Sequence, residues 1–343
     1  MFNIDNLVRP NVRKLIPYSC ARDEFQGKAG VFLDANENPF GTLNRYPDPY
    51  QRELKAEISR IKGIPAEKIF LGNGSDEIID LCFRIFCNPG ADKALTMSPS
   101  YGMYEVSASV NDVEIIKIAL DTSFGIDYSK LKSHFSDKNL KLIILCSPNN
   151  PTGNCLDSKI TGKILSEFKG IVLLDEAYID FAGQPSMKYK IDQYPNLIVM
   201  QTFSKAFGLA SVRVGMAFTN PEIVKYFNKM KPPYNISSLN QKAVLKKLKD
   251  PEKYNSQLIK IMEERTRLSG EISKLTCVVK VYPSDANFIL VRMKDAGQIY
   301  EYLVNKGIIV RNRSSVINNC LRITVGTRKE NDRLLQALKN PEL

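Results

Sequence analysis

From about residue 68 onward, short apolar runs alternate with longer amphipathic stretches. Apolar runs of this length are typical of buried strands, whereas the amphipathic stretches repeat their apolar residues at helical spacing. The predicted strands occupy residues 69–71, 94–97, 113–118, 141–146, 171–174, 197–200 and 212–218. The predicted helices occupy residues 76–86, 101–109, 128–135 and 158–168. This alternation favours an α/β fold with a mostly parallel sheet that helices cover on both faces.

The C-terminal part of the chain has a different pattern. After a largely helical region, it carries predicted strands at residues 278–282, 287–292, 308–311 and 320–324 and a helix at 297–306. Thr327 and Glu330 form a capping-box pattern at the start of a last helix. We therefore predict a large domain of residues 31–245 and a smaller C-terminal α+β domain of residues 246–343. Residues 1–30 are predicted to be an N-terminal arm that packs on the small domain or on a partner subunit.

The composition is that of a globular chain of roughly two domains, with 343 residues, of which 43% are hydrophobic and 25% charged. No apolar run approaches the ~18 residues that cross a bilayer, and the N-terminal segment has no apolar core before its charges. The 7 cysteines are scattered without zinc spacing, which favours a reduced, cytoplasmic setting. His134 is the single histidine, so sites built on several histidines are excluded, and we predict no metal.

The net charge of +11 raises the question of nucleic-acid binding. The lysines are nevertheless spread along the chain, and the densest group, at positions 242, 246, 247 and 249, has the spacing of one solvated helix face. We therefore predict anionic small molecules as ligands, with no nucleic acid and no membrane as partners.

Chemically versatile residues follow several predicted strands at their carboxyl ends, where open α/β sheets bind ligands. GNGSDE (72–77) opens a predicted helix whose backbone amides would receive a phosphate. SPNNPTG (147–153) supplies Asn149, and the sequence DEAY begins at Asp175. Each motif also has a simpler interpretation, respectively a helix N-cap, a plain turn and a structural ion pair around a buried carboxylate.

TFSKAFGLASVRVG (202–215) combines one lysine, hydroxyl groups and an arginine among small residues. The amine of Lys205 can form a Schiff base with an aldehyde. Thr202, Ser204 and Arg213 are suited to holding a phosphate. These parts describe a pocket for an aldehyde that carries a phosphate, and the alternative is a lysine that is simply solvated.

The order of these motifs, each at a strand end, resembles the fold-type-I aminotransferases that use pyridoxal 5′-phosphate (PLP), and the resemblance covers nearly the whole chain. Within that superfamily the sequence is most similar to the histidinol-phosphate aminotransferases. The motifs that carry the similarity are ANENP (35–39), NRYPD (44–48), PSYGMY (99–104), CSPNNPTG (146–153), DEAYIDF (175–181), TFSKAFGLA (202–210) and LRITVGT (321–327). The chain departs from the pattern at Ser211, where the lysine segment often carries glycine.

The resemblance implies roles for residues around the cofactor ring. Lys205 would bind PLP through its amine and would move a proton between the substrate carbon and the cofactor. Asp175 would pair with the pyridine nitrogen and keep it protonated. Asn149 and Tyr178 would hydrogen-bond the phenolate oxygen of the ring, and Tyr101 would stack on its face.

The resemblance also implies how the cofactor phosphate and the subunits are arranged. The side chains and backbone groups that would bind the phosphate belong to Ser75, Asp76, Thr202, Ser204 and Arg213. Tyr46 would reach the same phosphate from a neighbouring subunit, so the protein would be a homodimer with a shared active site.

Substrate recognition is implied for the C-terminal domain and the N-terminal arm. Arg322 would bind the α-carboxylate of glutamate or 2-oxoglutarate through a bidentate pair. The resemblance assigns the phosphate of the other substrate to Arg311 with Tyr18, and it places Asn36 in the substrate site. Arg313 lies two residues further along the same predicted strand and face, and it is an alternative to Arg311.

The implied activity is transamination of L-histidinol phosphate with 2-oxoglutarate, which gives imidazole-acetol phosphate and L-glutamate in histidine biosynthesis. A threonine-phosphate decarboxylase and an aromatic amino-acid aminotransferase are alternatives on the same scaffold. A catalytically silent binding protein is an alternative from another class, and it would be colourless where a PLP enzyme is yellow.

Overall fold

The structure is a computed structural model that describes residues 3–20 and 31–339. Its larger sheet contains β1 (Ile69–Asn73), β2 (Lys93–Ser98), β3 (Glu114–Ala119), β4 (Leu140–Cys146), β5 (Ile171–Asp175), β6 (Leu197–Thr202) and β7 (Val214–Thr219). Each predicted apolar run of this region forms one of these strands. The strands β5, β6 and β7 are buried along their whole length, which explains why their sequences are apolar without alternation.

The order of strands in the large sheet is β1-β7-β6-β5-β4-β2-β3. Neighbouring strands are parallel except at β7, which is antiparallel to both β1 and β6. The prediction of a mostly parallel sheet is confirmed. The register aligns Cys146 with Asp175 and Asp175 with Met200, so the carboxyl ends of β4, β5 and β6 lie side by side.

Helices cover both faces of the large sheet. They are α1 (Pro10–Lys14), α2 (Arg52–Lys62), α3 (Gly74–Phe86), α4 (Met103–Val110), α5 (Tyr128–Lys132), α6 (Ser158–Glu167), α7 (Pro221–Met230) and α8 (Ser238–Leu248). Successive side chains of β4 alternate between two apolar cores. Leu142 and Ile144 pack with residues of α3, whereas Ile143 and Leu145 pack with residues of α2 and α6.

The C-terminal domain is built on a second sheet of order β10-β11-β9-β8, whose strand pairs are all antiparallel. Its elements are α9 (Pro251–Ile272), β8 (Val278–Val281), β9 (Phe288–Met293), α10 (Ala296–Asn305), β10 (Arg311–Asn312), β11 (Cys320–Thr324) and α11 (Arg328–Lys339). The helices α9, α10 and α11 bury their apolar faces against this sheet. Thr327 and Glu330 form the predicted capping box, since the amide and hydroxyl of Thr327 both donate to the Glu330 carboxylate at 2.7 Å.

The strand predicted at residues 308–311 is misplaced, because the chain is still closing α10 there. The Ile308 amide donates to the Leu303 carbonyl at 2.8 Å, and the intervening Gly307 has a left-handed φ of +70°. The strand β10 therefore begins only at Arg311, which pairs with Arg322 of β11.

The first part of the N-terminal arm packs on the large domain of its own chain, and packing of the arm on a partner subunit stays a prediction. Ile4, Val8 and Val12 lie in the core of the large domain with residues of α3 and α7, and not on the small domain. The Arg9 backbone amide donates to the Ile85 carbonyl at 2.9 Å, which anchors the arm to the end of α3. All three side chains are apolar and buried, so their burial in this core stabilises the packing of the arm.

The domain boundary predicted after residue 245 falls inside α8. Val244 and Leu248 of this helix both pack in the large-domain core, so we propose that the boundary lies between α8 and α9. Residues 1–2 and 21–30 of the predicted arm and residues 340–343 of the predicted small domain lie outside the described residues.

Helix α9 is 22 residues long and carries charged side chains along its length. In the described part of the chain, no helix combines the length and the apolar character that crossing a bilayer requires.

Candidate active site

A cavity of ≈ 220 Å³ opens at the carboxyl ends of β4, β5 and β6, beside the N-terminus of α3. Open α/β sheets bind ligands at this edge. The residues that line the cavity are Ser75, Asp76, Tyr101, Cys146, Asn150, Asp175, Ala177, Tyr178, Thr202, Ser204, Lys205, Ala210, Arg213 and Arg322. The structure therefore brings most of the predicted cofactor-binding residues into one cavity.

Lys205 lies in the loop that follows β6, and its side chain is exposed to the cavity. Its Nζ atom is 5.5 Å from the centroid of the Tyr178 ring. The surrounding protein lowers the pKa of Lys205 by desolvation, and Arg322 lowers it further, whereas Asp175 raises it. The neutral amine is therefore more populated than in water, which favours its use as a nucleophile and as a base.

Asp175 ends β5 and is 4% exposed. The Tyr104 hydroxyl donates to its Oδ2 atom at 2.7 Å, and the Ala177 backbone amide donates to its Oδ1 atom at 2.9 Å. Burial raises the pKa of Asp175 to about 6, against the opposing effects of these hydrogen bonds and of Lys205. The carboxylate is thus held in a fixed orientation, and it keeps lone pairs for a cationic group in the cavity.

The N-terminus of α3 forms the end of the cavity that is suited to an anion. No side chain caps this helix, so its first-turn amides at Ser75 and Asp76 lack intrahelical partners. Arg213 has a left-handed φ of +54°, and its Nη2 atom lies 3.1 Å from the Asp76 carboxylate. Gly74 has a left-handed φ of +75°, and a Cβ atom there would lie 2.5 Å from the same nitrogen, so another residue would be strained and would displace the guanidinium. Helix amides beside a guanidinium favour phosphate binding.

The asparagine that lines the cavity is Asn150, and the prediction of Asn149 is corrected by one residue. Asn149 is 1% exposed, and its amide group donates to the Pro99 carbonyl at 3.0 Å and to Thr152 Oγ1 at 2.8 Å. The Nδ2 atom of Asn150, by contrast, lies 3.4 Å from the Tyr178 hydroxyl. The chain turns directly after β4, and this turn directs the two neighbouring amides to different partners.

Arg322 connects the small domain to the cavity. Its Nη1 atom donates to Asn150 Oδ1 at 2.5 Å, and its guanidinium carbon is 5.2 Å from the centroid of the Phe288 ring. Burial lowers the pKa of Arg322, an effect that Tyr178 opposes and Arg311 increases. Within the described part of the chain, no carboxylate forms an ion pair with Arg322, so its charge is available to a ligand.

Arg311 and Arg313 extend this positive charge along the edge of the small domain. The antiparallel pairing of β10 with β11 sets Arg311 opposite Arg322. Burial lowers the pKa of Arg313, and the two neighbouring arginines lower it further. The Nε atom of Arg313 is buried without a hydrogen-bond partner. Among residues 3–20 and 31–339, no ion pair neutralises any of these three cations, which indicates an anion-binding cluster.

Some predicted residues do not line the cavity of the single chain. Tyr18 is 74% exposed, and Asn36 is exposed with a left-handed φ of +53°. Tyr46 stacks on Tyr234 with ring centroids 4.4 Å apart. Arg311 is exposed as well. It does not line the cavity, but its charge lowers the pKa of Arg322, which does. The roles assigned to these four side chains stay predictions.

Other residues at the site were not given a role by sequence reasoning. They are Asn150, Cys146, Ala177, Ala210 and Tyr104. For Cys146 a signal was present, because the last residue of one central strand lies beside the last residue of the next, which is Asp175. For Tyr104 the signal is weaker. A tyrosine on the buried face of a helix needs an acceptor, and a buried carboxylate is one.

PLP fits the donor set of this cavity. The aldehyde, ring nitrogen and phosphate of PLP require an amine, a carboxylate and a cationic anion site. Lys205, Asp175 and Arg213 with the α3 N-terminus supply these groups around one space. A cofactor can contact the amine and the carboxylate together only if both groups line the same cavity. Lys205 and Asp175 do so.

The large sheet is mostly parallel with β7 reversed, and the small domain has an antiparallel sheet. Both domains contribute residues to the cavity that contains Lys205. These features define a fold-type-I PLP-dependent transferase. A family model described as aminotransferase class I and II matches residues 23–338. The chain therefore belongs to the class I and II aminotransferases, which depend on PLP.

Within this family, the chain is similar to several histidinol-phosphate aminotransferases. A histidinol-phosphate aminotransferase from Parabacteroides distasonis is 53% identical over 346 residues, which cover 100% of both chains. The crystal structure of the histidinol-phosphate aminotransferase from Clostridium acetobutylicum has a TM-score of 0.80 at 30% identity, with 87% of this chain and 90% of that chain covered. The enzyme of that name from Sinorhizobium meliloti, in complex with pyridoxal-5′-phosphate, has a TM-score of 0.78 at 25% identity, with coverages of 86% and 82%.

Proposed function

We propose that the chain catalyses transamination of L-histidinol phosphate with 2-oxoglutarate, giving imidazole-acetol phosphate and L-glutamate, as a step of histidine biosynthesis. The observation that carries this proposal is the arginine cluster of Arg311, Arg313 and Arg322 beside the cavity of Lys205 and Asp175. One substrate carries a phosphate and the other carries two carboxylates, so both need cations in addition to those of the cofactor site. The similarity to histidinol-phosphate aminotransferases supports the same assignment.

Lys205 and Asp175 are the residues to which we assign the central chemistry. Bound PLP supplies an electron-accepting ring that stabilises negative charge at the substrate carbon when a proton leaves it. Lys205 holds the cofactor through its amine, and in its free neutral form it takes the proton from that carbon. Its lowered pKa suits this role. Asp175 would accept a hydrogen bond from the ring nitrogen and would keep that nitrogen protonated.

The remaining cavity residues hold and orient the cofactor. Asn150, in place of Asn149, and Tyr178 line the cavity and would hydrogen-bond the ring oxygen, and Tyr101 would stack on the ring face. The groups that we assign to the phosphate are the α3 amides at Ser75 and Asp76, the hydroxyls of Thr202 and Ser204, and the guanidinium of Arg213. These contacts fix the ring relative to Lys205, which is what proton transfer requires.

The arginine cluster divides between the two ends of the substrate. Arg322, next to Asn150, binds the α-carboxylate of the amino acid substrate. Arg311 binds the phosphate of histidinol phosphate and the distal carboxylate of glutamate, with Arg313 as the alternative. Tyr18 and Asn36 are assigned to the same substrate site by resemblance alone.

We further infer a cytoplasmic homodimer with shared active sites. The segment of residues 31–46 leaves Leu33 92% exposed and Phe40 82% exposed, and apolar side chains grouped in this way mark an interaction surface. Tyr46 belongs to this segment and does not line the cavity of its own chain. In a twofold dimer, its hydroxyl can instead enter the cavity of the partner subunit. Among the described residues, no disulfide joins Cys82, Cys87, Cys146, Cys155, Cys277 or Cys320, which fits a reducing compartment.

A coupled assay tests the reaction. The purified protein with PLP should form glutamate from histidinol phosphate and 2-oxoglutarate, and it should release no carbon dioxide from phosphothreonine. Carbon dioxide release without glutamate formation would replace the proposal by a phosphothreonine decarboxylase. A preference for phenylalanine or tyrosine over histidinol phosphate would replace it by an aromatic aminotransferase.

Two variants in the same assay test the phosphate site. Arg311→Ala should raise the KM for histidinol phosphate roughly 10-fold or more, since it removes hydrogen bonds to a charged group. An aromatic amino donor without a phosphate should be affected much less, which separates a phosphate contact from general damage. A selective loss in Arg313→Ala, with Arg311→Ala unchanged, would transfer the phosphate to Arg313.

A further inference from the structure

Tyr104 lies on α4, beneath the cavity and not in its lining. It is 0% exposed, and its ring packs edge-on against the ring of Tyr101 at 5.5 Å between centroids. Its hydroxyl donates to Asp175 Oδ2 at 2.7 Å. A buried phenol needs a hydrogen-bond acceptor, and α4 places the Tyr104 hydroxyl next to the carboxylate of Asp175, which lines the cavity.

This hydrogen bond helps to fix the orientation of the Asp175 carboxylate and leaves it lone pairs for a further donor. The Oδ1 atom is bound by the Ala177 amide, so donors on both oxygens fix the plane of the carboxylate before a cofactor arrives. Each carboxylate oxygen keeps a second lone pair, which can accept the N–H of a protonated pyridine. Hydrogen bonds of a donor to an ionised acceptor are the strong ones, and they favour the charged form of the acceptor.

The surroundings of Asp175 make this contribution significant. Burial raises its pKa to about 6, and the Tyr104 hydrogen bond is the largest effect in the opposite direction, followed by the Ala177 amide and Lys205. Burial and Asp175 together raise the pKa of Tyr104 well above its ordinary value, so the phenol remains a donor at neutral pH. The other titratable groups that interact with Asp175 are Asp76, Cys146, Tyr101 and Tyr178.

We propose that Tyr104 is a positioning residue for the reaction, because its hydroxyl holds Asp175 ionised and oriented toward the pyridine nitrogen of PLP. Tyr104 touches neither substrate nor cofactor, and it acts only through Asp175. This inference rests on the PLP chemistry of the proposed function, and it is independent of which amino donor is used.

The test compares PLP with its 1-deaza analogue, in which a carbon replaces the pyridine nitrogen. Tyr104→Phe removes one hydroxyl and keeps the ring that packs on Tyr101. The dissociation constant of PLP from the variant should rise roughly 10-fold, the equivalent of a hydrogen bond to a charged group, while that of the deaza analogue should not change. Equal changes for both compounds, or no change for either, would overturn the proposal.

A double-mutant cycle supplies the second measurement. In an Asp175→Ala background, Tyr104→Phe should have no further effect on PLP affinity, whereas a role in packing alone would weaken binding in both backgrounds. Tyr226→Phe is the control, because its hydroxyl also donates to a carboxylate, that of Asp5, and neither residue lines the cavity. That control should bind both compounds as the unmodified protein does.

The kinetic readout separates this inference from the proposed function. In the transamination assay, Tyr104→Phe should lower kcat roughly 10-fold with little change in the KM for the amino donor. A protein that fails to accept histidinol phosphate but shows the PLP-specific affinity loss would disprove the substrate assignment and retain the role of Tyr104. Transamination by the unmodified protein, with identical kcat in Tyr104→Phe, would support the substrate assignment and disprove the role of Tyr104.

Discussion

Asp175 and Lys205 bring opposite charges into one cavity where burial disfavours both. Burial raises the pKa of the carboxyl to about 6 and lowers the pKa of the amine, and each ion partly offsets this effect on the other. The carboxylate has two hydrogen bonds of its own, whereas the amine is exposed to the cavity. The pair is therefore arranged so that Asp175 holds a fixed charge and Lys205 remains free to gain and lose a proton.

A prediction at this scale concerns Asn149 and Asn150. Asn150→Ala should lower kcat/KM roughly 10-fold or more, because Arg322 and Tyr178 both lose a hydrogen-bond partner at the cavity. Asn149→Ala should instead lower the free energy of unfolding by about 1–3 kcal/mol, because it leaves buried partners unsatisfied. Steady-state kinetics and denaturant unfolding of both variants distinguish these effects. A larger kinetic loss in Asn149→Ala would restore the assignment made from the sequence.

At the scale of elements, the turn after β4 is one of the places where the two domains meet. The Asp285 amide donates to the Gly153 carbonyl at 2.7 Å, and the Cys155 amide donates to the Asp285 carboxylate at 3.1 Å. Gly153 has a φ of +86°, and a Cβ atom there would lie 2.6 Å from the Ser284 hydroxyl. Glycine is needed at this position for both reasons. The same turn carries Asn150, so the small domain is attached directly to a wall of the cavity.

Inside the small domain, Glu264 joins α9 to α11. It accepts hydrogen bonds from Arg267, Arg328 and Asn331, and these contacts hold its pKa at about 2, below the ordinary value near 4.5. A carboxyl whose folded-state pKa is depressed contributes stability above its ordinary pKa and loses that contribution as the pH falls toward the folded value.

Glu264→Gln should therefore lower the free energy of unfolding at neutral pH by about 2 kcal/mol. The difference from the unmodified protein should shrink as the pH falls below about 4.5, where the unfolded chain binds the proton. Denaturant titrations at neutral and acidic pH measure it. The control is Glu263→Gln, which removes an exposed neighbouring carboxylate. A difference between Glu264→Gln and the unmodified protein that grows in acid would contradict the assigned sign.

At the scale of the whole molecule, the single chain has an incomplete active site under the proposed function. Tyr46 stacks on Tyr234 in an exposed apolar segment, and it does not line the cavity of its own chain. A twofold dimer presents the same surface from both chains, so each chain can complete the cavity of the other.

Mixed dimers test this arrangement. Lys205→Ala and Tyr46→Ala should each reduce activity at limiting PLP, and mixing the two variants under conditions of subunit exchange should restore activity. In a shared arrangement, one cavity of the hybrid carries both changes and the other carries neither. Lys205→Ala mixed with Asp175→Ala is the control, because both residues line the cavity of one chain and no intact cavity can form. Absence of recovery in the first mixture, or a monomer by sedimentation, would contradict the shared site.

Much of this architecture is predictable from sequence because the signals are local. The apolar runs of β4, β5 and β6 match buried strands, and ligand-binding residues of parallel sheets follow such runs. Asp175, Lys205 and Arg213 are therefore expected at one edge of the sheet, and the structure brings all three into one cavity. The family to which the chain belongs is likewise expected from the order of its motifs.

Other features depend on contacts that no local pattern encodes. Asn149 and Asn150 have the same chemistry, and only the direction of the turn decides which side chain enters the cavity. The hydrogen bond between Tyr104 and Asp175 joins residues that are 71 positions apart, so it exists only once α4 has packed on the sheet.

The sequence by itself determined the kind and order of the elements and the amine, carboxylate and guanidinium that the site contains, because periodicity and residue chemistry are properties of short segments. The tertiary structure alone decided which core buries the arm, which asparagine faces the cavity and what holds Asp175 in place. Those outcomes depend on how distant segments pack, and packing energies are shared among residues that are far apart in the chain.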